Sequence, residues 1–192
     1  MKRAILVNGV PASGKTTFAD LLTRFLTAEG IAAAPLGLDT VKEALFAHLG
    51  AGDREHNRML GRASYRAIFD TVARFPDGLV PVIDAWHGFQ PVEVVCENVA
   101  RAGIDDVIEV WCAVSPEIAA ARYRARGPER HPGHPPASYA EELRALAARA
   151  TPLSIGTVVR VDCETDIPRA TLVAISDLLR DGRAASSEQE TT

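Results

Sequence analysis

Gly9-Val10-Pro11-Ala12-Ser13-Gly14-Lys15-Thr16 is the stretch that decides how this chain folds. Glycine at the first and sixth positions, closed by Lys-Thr, is the spacing of a loop that wraps phosphate groups. Its surroundings agree. The apolar run Ile5-Leu6-Val7 ahead of it reads as a buried strand. Behind it, Phe18, Leu21, Leu22, Phe25 and Leu26 fall on one face of a helix that Gly30 stops. The glycines let successive backbone N–H groups turn inward toward an anion, and the helix that follows adds the positive end of its dipole. Lys15 is placed to reach the β- and γ-phosphates and the Thr16 hydroxyl to ligate Mg²⁺. Gly9, Pro11, Ala12, Ser13, Gly14, Lys15, Thr16 and Thr17 are therefore the expected nucleotide contacts, with ATP and Mg²⁺ as cofactors.

Beyond the loop, short β-rich runs alternate with longer helical ones. Ile31 to Leu38 is a weak strand interrupted by Pro35, and helices are expected over Val41 to Leu49 and about Arg54 to Phe75. Leu79 to Ile83 reads as a strand, although Pro81 argues against a fully paired central position. Val107 to Val114 and Thr157 to Val161 complete five strands, and Ile167 to Leu179 is the last helix. Ser115-Pro116 and Ser138-x-x-Glu141 read as helix starts, the second as a capping box. The alternation predicts an α/β three-layer sandwich: a five-stranded parallel sheet with helices on both faces, in a single domain over residues 1–180. The segment 181–192 is polar and expected to be disordered.

In such a sheet, ligands sit beyond the carboxyl ends of the strands. Asp39 follows the second strand and Asp84 the third. An apolar strand ending in Asp suits Mg²⁺ binding at Asp84, which leaves Asp39 as the general base, with the reverse assignment open. After Asp84 come Trp86, His87 and Phe89, aromatic and polar groups suited to a small polar ligand or, equally, to the core. Asp39, Asp84, Trp86 and His87 are the expected acceptor contacts.

Arg122, Arg124, Arg126 and Arg130 crowd a predicted helix end and a loop rich in proline and glycine. Arginines on a closing flap at about 122–137 would neutralise charge that develops on the γ-phosphate. His131 and His134, with Glu129, suit shaping of that loop and contact with the nucleotide or acceptor better than a metal site. A stripe of Arg54, Arg58, Arg62 and Arg66 lies between the second and third strands, where an acidic partner or plain solvent would balance it.

The chain is 192 residues long, 47% hydrophobic and 24% charged, with a net charge of −4. That balance argues against bulk binding to nucleic acid or to an anionic membrane. No stretch approaches the ~18 apolar residues that span a bilayer, and no secretory leader is apparent, so a cytoplasmic protein is expected. Cys96, Cys112 and Cys163 are too scattered for a disulfide framework or zinc site. Lysine is scarce: only Lys2, Lys15 and Lys42 occur.

With phosphate loop, strand-end aspartates and arginine loop in that order, residues 1–180 resemble a P-loop kinase, and among these the small group of chloramphenicol phosphotransferase and the zeta toxins. The resemblance implies a five-stranded sheet, Mg-ATP and an arginine-bearing lid. It places the base at Asp39, and lid and nucleotide contacts at Arg122, Arg126 and Arg130. The expected activity is transfer of the γ-phosphate of ATP to a hydroxyl of a sugar, amino sugar or antibiotic-like molecule, by a monomer or homodimer. Two alternatives stand beside it: a kinase of a nucleotide sugar or nucleic-acid end, and an ATP-binding switch with slow hydrolysis.

Overall fold

The computed structural model describes residues 1–127 and 130–187. Strand β1 (Arg3–Asn8) leads through the phosphate loop into α1 (Lys15–Ala28). There follow β2 (Ala33–Gly37), α2 (Leu38–Leu49), α3 (Arg54–Val72), β3 (Val80–Asp84), α4 (Val92–Arg101) and β4 (Asp106–Ala113). The chain then forms α5 (Pro116–Ala125), α6 (Ala140–Ala147), β5 (Thr157–Asp162) and α7 (Arg169–Ser187). All five strands are parallel, in the order β2-β3-β1-β4-β5. The sheet expected from the alternation is thus present. The chain leaves β1 for the far edge, returns through β3, and then crosses to β4 on the other side. That reversal opens a crevice at the carboxyl end of β1.

Alternation along β1 divides the core. Ile5 and Val7 pack with Phe18, Leu22 and Leu26 of α1 and Ile175 and Leu179 of α7. Ala4 and Leu6 face the other way, onto Tyr65, Ile68, Phe69 and Val72 of α3 and Val95 of α4. Each fully buried aliphatic or aromatic side chain contributes about 1.5–3 kcal/mol. A third cluster, with Val10, Ala119, Tyr123, Ala140 and Leu143, packs α5 and α6 against the phosphate loop.

Three expectations are corrected. β3 is an interior strand despite Pro81. Its ladder with β1 begins at Ile5↔Val82, one residue past the proline, so the missing N–H falls just ahead of that pairing. Pro35 lies in β2, the edge strand, where proline is tolerated. Ser138 does not cap α6: a single 3₁₀ turn over Ala137–Tyr139 precedes the helix, and the N-cap is Tyr139. Helix α7 also continues to Ser187, past the expected start of the tail at Asp181. Residues 188–192 lie outside the described residues. No helix among the described residues is long and apolar enough to cross a membrane.

Candidate active site

Between β1 and α1 the phosphate loop has the backbone its sequence demands. Gly14 takes φ 95° and Ala12 φ 64°, both in the left-handed region. Gly9 is irreplaceable for space, since a Cβ there would stand 2.5 Å from Ser13 Oγ and 3.0 Å from the Cys112 carbonyl oxygen. The Ser13 N–H closes the turn onto Val10 O at 3.1 Å. No side chain caps the N-terminus of α1, and its first turn holds no acidic residue. Its leading N–H groups and dipole are therefore left for an anion. Among the described residues Lys15 Nζ makes only a long bond, 3.5 Å, to Val10 O.

This loop forms one wall of a cleft of about 620 Å³ at the carboxyl edge of the sheet. Lys15, Thr16, Asp39 and Asp84 all line it, so the two strand-end aspartates meet the phosphate loop as the sequence suggests. Asp84 ends β3 and is buried, and its Oδ1 has no hydrogen-bond partner. Burial pushes its pKa up, while the Lys15 ammonium and the Thr16 hydroxyl pull it down. An orphaned carboxylate oxygen beside a hydroxyl is a hard-oxygen pair that fits Mg²⁺, an ion that takes few protein ligands and completes its shell with water and phosphate. Among the described residues no group of three or more His, Cys, Asp or Glu side chains could hold a metal alone.

Asp39 lies in the first turn of α2, whose N-cap is Gly37, so its carboxylate is not engaged as the cap. One turn on, Lys42 enters the cleft. Burial lowers its pKa, Asp39 opposes the shift, Arg130 adds to it and Glu43 opposes it. Sequence reading passed over Lys42, although its i+3 spacing from Asp39 in a lysine-poor chain was a usable signal.

The segment 131–134 rests on α2 and α3. His131 stacks on Phe46 with centroids 5.2 Å apart, and His134 Nε2 meets Glu43 at 2.7 Å. The Asn57 amide donates to the Gly133 carbonyl. Both histidines are packed in this way and also line the cleft; Glu129 lies outside the described residues. Arg126 and Arg130 face the cleft, and the Arg130 guanidinium sits 4.4 Å above the Tyr123 ring. Arg122 is not in the cleft. It donates to Cys163 O at 2.9 Å, and its Nη1 would lie 3.9 Å from a Cβ on Gly14, behind the start of α1. Arg124 turns outward to Glu141.

The acceptor side shows a second division. Trp86 and Phe89 line the cleft, but His87 does not. It is wholly buried, and its ring bridges Tyr65 OH at 2.7 Å and Ile83 O at 3.3 Å. The carbonyl can only accept, so Nε2 carries the proton and Nδ1 accepts from the tyrosine. His87 belongs to the core rather than to a substrate pocket. Burial lowers its pKa to about 4 from 6.5. Between those values the unfolded chain binds a proton that the folded chain refuses, so stability is lost as pH falls from about 6.5 toward 4, by up to about 3 kcal/mol. Urea melts across that range should show this slope for the wild type and a shallower one for His87→Gln.

The arginine stripe splits. Arg54 and Arg58 reach the cleft, whereas Arg66 pairs with Asp70 at 3.0 Å on the exposed face. Arg54 is matched by Glu142 at 2.8 Å. Asn57, Tyr123, Tyr139 and Arg149 also line the wall, and no local motif marks any of them.

Residues 1–126 match the family model of adenylylsulphate kinase. No curated protein matches the chain. A solved structure from Chloroflexus aurantiacus J-10-fl, described provisionally as a kinase, is 26% identical with a TM-score of 0.74. The match covers 94% of this chain and 97% of that one. The structure of APE1195 is 21% identical with a TM-score of 0.63, covering 94% and 96%, and shares the fold. With its phosphate loop between β1 and α1 and two thirds of its length matched, the chain belongs to the adenylylsulphate kinase family, a family of ATP-dependent P-loop kinases.

Proposed function

We propose that this kinase transfers the γ-phosphate of Mg-ATP to a hydroxyl of a small molecule bound between α2, α3 and the lid, with residues 1–180 acting as one catalytic domain. The observation that carries this reading is the convergence of Asp39 and Asp84 on Lys15 and Thr16 in one cleft, with Arg126 and Arg130 facing the same space. Asp39 takes the proton of the attacking hydroxyl. Lys15 and the uncapped N–H groups of α1 hold the β- and γ-phosphates, and the two lid arginines offset charge on the moving phosphoryl group. Thr16 and Asp84 hold Mg²⁺, which neutralises charge on the phosphates when bound. Arg122, bonded to Cys163 O and close to Gly14, contacts the nucleotide from the far side of the loop. Trp86 offers an apolar face to the acceptor.

ADP release and direct detection of phosphorylated product test the reading across a panel of sugars, amino sugars, phenicol antibiotics, nucleotide sugars, adenylyl sulphate and 5′-hydroxyl oligonucleotides. Turnover above basal hydrolysis is expected with one acceptor class. Basal hydrolysis alone across the panel would favour an ATP-dependent switch.

A second reading, an acid-bearing acceptor, is favoured by Arg58 and Arg149. Both line the cleft, and neither has a carboxylate within 4.0 Å among the described residues. The Tyr139 phenol lines the same cleft; burial and Glu142 raise its pKa, and the charges of Arg54, Arg149 and Arg58 lower it. Under this reading Arg58→Ala raises KM for an acidic acceptor about tenfold, the loss of one charge-assisted contact. The same substitution leaves KM for a neutral acceptor unchanged.

A further inference from the structure

Behind the phosphate loop runs a chain of buried polar groups that the proposed chemistry does not use. Asn8, the last residue of β1, and Glu109 of β4 are both wholly buried. Glu109 pairs in register with Leu6, so it shares the sheet face that also carries Asn8. The Asn8 Nδ2 group donates to Glu109 Oε1 at 2.7 Å. Glu109 takes two further donors from the connection between α6 and β5: the Leu153 N–H on Oε1 and the Ser154 N–H on Oε2, each at 2.8 Å. The other end of the Asn8 amide accepts twice. Its Oδ1 receives the Gly9 N–H at 2.8 Å and the His87 N–H at 3.0 Å.

Only one orientation of the amide satisfies these partners. A carboxylate can only accept and a backbone N–H can only donate, so Glu109 forces Nδ2 toward itself and Oδ1 toward Gly9 and His87. Gly9 is the first residue of the phosphate loop. His87 follows Asp84 by three residues, and its ring holds the carbonyl of Ile83. A single oxygen atom therefore fixes where the loop departs from β1 and where the chain turns after the β3 carboxylate.

We infer that Asn8 is a positioning residue for Mg-ATP binding, held in its working orientation by Glu109. It touches neither nucleotide nor metal. It acts through Gly9 and His87, which set the phosphate loop and Asp84 relative to each other. This holds whatever the acceptor proves to be.

Asn8→Asp places two carboxyl groups within hydrogen-bond distance in a dry site. At pH 8 they repel, and Mg-ATP affinity is expected to fall about tenfold or more. As the pH drops toward 6 a proton bridges the pair, the geometry returns and the affinity recovers. Glu109→Gln alone is expected to keep affinity within about threefold, because its Oε1 still accepts from Asn8 and Leu153; the new NH2 faces the Ser154 N–H, donor against donor, and that cost appears in the melting temperature. Joined to Asn8→Asp, the same substitution supplies a donor to the new carboxylate and restores binding at pH 8, with the loss of the Leu153 N–H acceptor lowering the melting temperature only. Titration calorimetry with Mg-ATP, run beside melting curves, reads all three variants. Ile175→Val, a core truncation remote from the network, lowers the melting temperature without changing affinity. The inference is overturned if Asn8→Asp binds Mg-ATP like the wild type at pH 8, or if Glu109→Gln fails to rescue it. Should Asn8→Asp not fold, the double variant carries the test alone: it must fold and bind, and failure overturns the inference.

Discussion

Asp39→Asn is expected to lower phosphoryl transfer by about 10²–10⁴-fold, the usual worth of a general base. Mg-ATP affinity should stay close to wild type. The amide is isosteric, so the first turn of α2 keeps its shape, and Asp39 is not the N-cap whose loss would unwind it. What the substitution removes is an acceptor for the hydroxyl proton, together with the carboxylate that offsets the burial of Lys42. Product formation under saturating ATP, paired with nucleotide titration, separates the two effects. Near-normal transfer by this variant moves the base role to Asp84, or to no base at all. Loss of nucleotide binding in parallel with transfer would instead mark Asp39 as part of the ATP site.

Lys15→Ala carries the second large effect. The lysine is the one cation in the phosphate-loop sequence, and among the described residues its one hydrogen bond is a long one, to Val10 O. Little folding stability depends on it, so the melting temperature should hardly move. Turnover of ATP should fall by about 10²–10³-fold, as when a preorganised charge is removed from a transition state. Wild-type turnover would show that the α1 N-terminus suffices to hold the phosphates, and the role given to Lys15 would fall.

Legibility tracked how far each residue's job depends on chain neighbours. The phosphate loop was readable because its backbone demands are local: glycine where a Cβ would strike Ser13 or where φ is positive, and lysine at the helix start. Asp39 and Asp84 were readable because a parallel sheet sends the ends of all its strands to one edge. His87 was misassigned for the converse reason. Its neighbours in sequence, Trp86 and Phe89, do face the cleft, and only the long-range partners Tyr65 and Asn8 turn it inward. The same limit hid Glu109, which reads as a polar break in a strand until Asn8, Leu153 and Ser154 gather on it. The Arg54 to Arg66 stripe looked uniform because helical periodicity cannot say how much of a long helix borders a cleft. Here only the first turns do.

Pro35 has a consequence for how copies of the molecule meet. The carbonyl of Ala32 accepts from Val80 on β3, and the two-residue alternation of a strand turns the nitrogen of Pro35 away from β3, to the open side of β2. An uncapped sheet edge is a template on which another extended chain can add itself and nucleate insoluble aggregates. At the centre of this five-residue edge the incoming strand would meet a ring instead of a donor, on a residue that is exposed to solvent. A residue that weakened the strand signal thus guards the molecule against growing its sheet beyond its own boundary.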